Sequence, residues 1–110
     1  MVKATLVEVL GQGASQTATT LTILKADLPR LTPSANNTPE SLLVGILLKA
    51  QSRLTQESFD TNIDQSLTVL KGYSSSVTRG AENLDYRTKQ LVVSMSTLDT
   101  DTEIDPDNYE

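Results

Sequence analysis

Thr38-Pro39-Glu40-Ser41-Leu42-Leu43-Val44-Gly45-Ile46-Leu47-Leu48-Lys49-Ala50-Gln51-Ser52-Arg53-Leu54 organises the rest of the chain. Thr38 can cap a helix, Pro39 suits the first helical position, and Glu40 sits near the positive end of the helix dipole. Leu43, Leu47, Ala50 and Leu54 recur at 4-3-4 spacing, and Leu42 and Ile46 widen the apolar face. Ser41, Gly45, Lys49 and Ser52 lie opposite. The pattern predicts an amphipathic helix of about 16 residues.

Before it, Pro29, Pro33, Asn36 and Asn37 rule out regular structure between Leu28 and Asn37. Further upstream, Lys3-Ala4-Thr5-Leu6-Val7-Glu8-Val9-Leu10 is rich in β-branched residues and bounded by Gly11, which predicts a strand. Gly11–Gln16 supplies turn-permissive residues, and Thr19–Lys25 resumes strand composition. These two strands form a first hairpin around a long, mobile loop at 11–18. After the helix, Thr55–Asp60 reads as a polar connector. Ser66–Tyr73 is a strand that continues extended through Ser74–Arg79, Gly80–Asn83 is a turn, and Tyr86–Thr97 is a long returning strand. The expected class is α+β: two antiparallel β-hairpins forming a small sheet, with one amphipathic helix packed across it. One helix covers one sheet face, which leaves Tyr73, Val77, Tyr86 and Val92 to supply apolar area elsewhere. Such area is buried against a partner, so self-association or docking is expected.

The 110 residues suit one domain. There is no Cys, His or Trp, and one Phe, whereas Thr and Ser account for 15 and 11 positions. Without His or Cys there is no Cys/His zinc site, thiol nucleophile, Ser-His-Asp triad or disulfide. Acid–base work would fall to carboxylates, Lys or Tyr. A structural or binding role is favoured over catalysis, with no cofactor expected. Glu57, Asp60 and Asp64 near Lys71 or Arg79 are the available catalytic grouping, and their spacing fixes no common face. Gly11-Gln12-Gly13 lacks the third glycine and the following helix of a dinucleotide fingerprint. Asn36-Asn37-Thr38 fits a glycosylation sequon, a match that chance explains in a chain without a visible export signal.

Charge is unevenly placed. Of 14 acids, Asp99, Asp101, Glu103, Asp105, Asp107 and Glu110 fall in the last 12 residues; the other 8 face 9 bases, so residues 1–98 carry +1. Residues 1–98 therefore read as a single α+β domain and 99–110 as an acidic C-terminal arm. The bases are scattered singly, so no nucleic-acid partner is expected. The longest apolar stretch, Leu42–Leu48, is too short to span a bilayer, and no membrane partner is expected either. The arm's acids also fall at positions 1, 3, 5, 7, 9 and 12 of a calcium-loop register, but Ile104 stands where that loop needs Gly and no helices flank it. Ile104, Asp105, Pro106, Asp107 and Tyr109 place apolar anchors among carboxylates, as a segment docking in a basic groove does. These five are the candidate partner-binding residues.

With Ala26-Asp27-Leu28-Pro29-Arg30-Leu31-Thr32-Pro33, Leu42 through Ala50, and the ending Ile104-Asp105-Pro106-Asp107-Asn108-Tyr109, the chain resembles small virion proteins of tailed phages. In particular it is similar to those of phages or prophages associated with cyanobacteria, by pattern over most of its length. The resemblance implies a non-catalytic, repeated component of a virion that cements or decorates the capsid. Its partners would be the major capsid protein or another virion protein, with homo-oligomer formation. The alternatives are a head–tail connector or tail-joint ring protein, or a cellular protein-binding module.

Overall fold

The structure is a computed structural model that describes residues 2–99 and 103–110. Its centre is helix α2, Pro39–Gln51. Thr38 accepts the Ser41 N–H at 3.1 Å and Pro39 opens the first turn, as the sequence signals require. The segment before α2 is irregular apart from a 3-10 turn at Lys25–Asp27.

The inward face of α2 matches the expected one at its C-terminal end, where Ala50 and Leu54 are buried, and departs from it at Leu43 and Gly45. Gly45 and Ala50 are its buried residues, whereas Leu43 is 56% and Val44 54% exposed. Leu28, 5% exposed, selects that face: a Cβ at Gly45 would sit 3.2 Å from Leu28 Cβ, so the missing side chain admits Leu28 against the helix backbone. Periodicity could not make the choice, because large apolar residues occur almost all round α2.

The first expected strand is instead a helix, α1, Leu6–Leu10. Thr5 accepts the Glu8 N–H at 3.2 Å while Glu8 Oε1 accepts the Thr5 N–H at 3.0 Å. This reciprocal capping box satisfies two backbone donors locally and overrides the β-branched composition. Gly11 ends α1 at φ 117°, packed where a Cβ would collide with Asp27. The loop expected to be mobile is folded: Gly13 N–H donates to Asp27 Oδ2 at 2.8 Å, and two-residue strands β1, Ser15–Gln16, and β2, Leu21–Thr22, pair antiparallel. The strand foreseen over Thr19–Lys25 thus shrinks to β2. The polar connector at Thr55–Asp60 is a third helix, α3, Gln56–Thr61, capped by Thr55 accepting from Ser58 N–H at 3.1 Å.

The second hairpin forms as expected. Strands β3, Leu67–Arg79, and β4, Leu84–Met95, pair antiparallel along their length, and Asn83 N–H closes the turn onto the Gly80 carbonyl at 3.1 Å. A bulge between Lys71 and Ser74 places Gly72 and Tyr73 opposite Gln90. The fold is α+β with two antiparallel hairpins, and their ladders stay as two separate two-stranded sheets.

The core sits where α2 ends and β3 begins. Ala50, Leu54 and Val69 are buried together, with Val9, Leu67 and Leu91 packed around them. Beyond this base, every residue from Tyr73 to Gln90 is exposed. Leu54→Ala is expected to cost about 2–4 kcal/mol by chemical denaturation, through transfer and cavity losses. Ile63→Ala, at a position 92% exposed, should stay within about 0.5 kcal/mol.

Candidate functional site

Among the described residues, Glu8 and Arg53 form an ion pair. Arg53 Nε donates to Glu8 Oε2 at 3.0 Å, and Arg53 also donates to Gln65 Oε1 at 3.4 Å. The Thr5 backbone N–H, foremost, and then the Arg53 guanidinium and Thr5 hydroxyl hold the Glu8 carboxyl down at about 2. A carboxylate so acidic stays charged at neutral pH and is a poor proton carrier. Its role is to clamp α1 to the segment following α2. Sequence reading missed this pair; the Thr5-x-x-Glu8 spacing was the available signal.

The larger cleft, about 620 Å³, lies between α3 and the open end of the β3–β4 ribbon. Phe59, Ile63 and Leu98 give it an apolar lining, and Asn108 of the arm reaches its wall. Its deepest polar group, Gln65, is fully engaged: Nε2 donates to the Thr55 carbonyl at 3.1 Å and the Leu67 carbonyl at 2.8 Å. Among the described residues, none of the lining side chains is titratable. A shallower notch of about 360 Å³ is lined by Val2, Arg53, Ser58, Thr61 and Asn62.

Asp60 and Arg79 of the suggested catalytic grouping have other neighbours. Asp60 is engaged by Gln56 Nε2 at 2.8 Å within α3, and Arg79 lies over the Tyr86 ring, 5.2 Å from its centre, at the far end of the ribbon. Among the described residues no group of three or more carboxylates converges on a metal position. Asp101, part of the calcium-loop register, lies outside the described residues.

The five arm residues are placed as a short unit. Pro106–Tyr109 forms a 3-10 turn, and Asp105 caps it by accepting the Asp107 N–H at 3.0 Å. Asp107 is exposed, Ile104 is 71% exposed and Tyr109 is half-buried. Asp105 Oδ1 is engaged within the turn, while the Asp105 side chain stays exposed with Asp107 and Ile104.

The largest feature is the β3–β4 ribbon. By its register, Leu67 and Val69 share a face with Leu91, Val93 and Met95, and Val69 and Leu91 meet the core. The opposite face carries Leu70 beside Val92, Val77 beside Tyr86, and Leu84 beside Arg79. On this second face Val77, Leu84, Tyr86 and Val92 are all between 44% and 54% exposed. The chain matches no family model, no curated protein and no solved structure.

The Glu8 clamp has a definite pH signature. The folded carboxyl titrates below its ordinary value of 4.5, so the clamp contributes fully above that value and is lost as pH falls through about 2. Glu8→Gln should lower Tm at pH 7, and its difference from wild type should close as the pH is taken from 4.5 down to 2 in a thermal melt series.

Proposed function

We propose that the chain is a non-catalytic virion structural protein of a tailed phage that cements or decorates the capsid through protein–protein contacts. The observation carrying this reading is how little the chain buries alone. Its accessible surface is 8581 Å², against about 6,000 Å² for a folded monomer of this mass. Its radius of gyration is 16.5 Å, against about 13 Å for a compact chain of this length. The surplus, about 2,600 Å², is several times the roughly 800 Å² that one partner contributes to a standard interface.

The form of that surplus supports contact work. A two-stranded ribbon standing alone in water is marginal, and beyond its base this one has no third strand on either edge among the described residues, which suits pairing with a neighbouring strand. The arm residues Ile104, Asp105, Pro106, Asp107 and Tyr109 add an acidic, apolar-anchored element suited to a basic site on the major capsid protein or another virion protein. Repeated copies would gain avidity from many such contacts. The resemblance to small phage virion proteins supports the same role and the virion as its location.

Particles purified from the strain that encodes the chain are expected to contain it in many copies by quantitative mass spectrometry. Its removal should lower the temperature at which they release DNA. Absence from purified particles overturns the reading, and a single set of about six copies points to a connector or tail-joint ring instead. Deleting residues 99–110 should weaken particle binding roughly tenfold while the circular dichroism of the remainder is unchanged.

A further inference from the structure

Helix α2 and the ribbon are two halves of one layer that the chain does not close on itself. On α2, Glu40, Leu43, Val44 and Leu47 follow the i, i+3, i+4, i+7 spacing of one helix face; the first three are exposed and Leu47 is half-buried. On the ribbon, Val77, Leu84 and Tyr86 form an apolar patch on the face turned away from the core at its base. Each surface lacks cover, and a helix face on a sheet face is the ordinary way to bury both. Within one chain they meet at a single end, because Ala50 and Leu54 hold the base of β3 at Val69 and the ribbon runs on exposed beyond Tyr73.

We infer that copies of this chain assemble head to tail, the Glu40–Leu43–Val44–Leu47 face of one copy covering the Val77–Leu84–Tyr86 patch of the next. The dimensions agree: α2 is about 20 Å long, and the exposed β3 segment from Tyr73 to Arg79 spans about 23 Å. The charges agree as well. Glu40 is the one acid within α2, and Arg79, held over Tyr86, is the one charged residue beside the patch on that ribbon face. Residues 1–98 carry only +1, so two bodies approach with little mutual repulsion. The surplus surface of about 2,600 Å² per chain suffices for two interfaces at roughly 800 Å² per side, and a head-to-tail contact uses two on every copy. This contact goes beyond the virion role and stands or falls separately from it.

The chain has no cysteine, so introduced thiols report the contact directly. Val44→Cys and Val77→Cys are prepared as separate full-length chains, each checked by circular dichroism, and oxidised alone and mixed. A disulfide-linked dimer in the mixture, with neither variant linking to itself, is the expected result. In sedimentation the wild type should associate as its concentration rises; Glu40→Arg and Arg79→Glu should each weaken association about fivefold to tenfold, and the double variant should restore it. A chain that stays monomeric at every concentration overturns the inference. So does a Val77→Cys chain that links to itself while the mixture does not, since that marks a symmetric ribbon-to-ribbon contact.

Discussion

Val69 donates its backbone N–H to the Leu54 carbonyl at 2.9 Å, and the side chains of these two residues with Ala50 make the buried cluster of the molecule. Leu54 lies just past the end of α2, so this bond gives its carbonyl a partner and ties the end of the helix to the base of β3. The segment joining the two elements, which carries α3, is pinned to the same place. Gln65, 6% exposed, spans the Thr55 and Leu67 carbonyls, and Arg53 ties both Gln65 and α1 to the joint. The N-terminal segment is held to the same joint by its own bonds, Lys3 Nζ to Ser66 Oγ at 3.0 Å and Asn62 Nδ2 to the Val2 carbonyl at 2.8 Å.

Because the joint lies at one end of α2 and one end of β3, the two longest elements diverge from it. That single placement explains why so much apolar area is left in solvent despite an ordinary complement of Leu and Val. The ribbon copes locally: Gln90 Oε1 accepts the Tyr73 N–H at 3.3 Å at the bulge, and Arg79 covers the ring of Tyr86. These are weak contacts on an exposed hairpin. They preserve its shape without hiding its surface, which is the condition under which a ribbon meets a partner already formed.

What the amino-acid sequence disclosed depended on whether the deciding contact was local. Thr38 and Pro39 set the start of α2 within one turn, and the β-branched runs on either side of Gly80–Asn83 declare the long hairpin; both were legible. Lys3–Leu10 was misread because two local tendencies compete there. The winner, a capping box, is reinforced by Arg53, 45 positions away from Glu8, which no window of sequence contains. The orientation of α2 around Gly45 was hidden for a similar reason, since Leu28 alone distinguishes the Gly45 side of a helix that is apolar almost all round. For the candidate site, the acidity of the arm was plain from composition. That Asp105 would cap the Asp107 N–H needed the backbone of the Pro106–Tyr109 turn.

The separation of charge constrains how copies can stand together. Six acids in residues 99–110 against a body of +1 make the arms the main source of repulsion between neighbours. At physiological salt that repulsion decays over about 8 Å. A head-to-tail contact through α2 and the distal ribbon has to keep successive arms farther apart than this distance. It can, because the described part of the arm lies by the α3 cleft at the base of the ribbon, as Asn108 in the cleft wall marks, while the apolar patch is at its tip. With the ribbon extending through a molecule 51 Å long, each neighbour binds away from the arm of the copy it covers. The acidic segments are then displayed as a repeated set, and repulsion among them favours arrangements in which a basic surface lies between. In the proposed assembly the apolar ribbon would select identical copies, and the arm would select a partner of opposite charge.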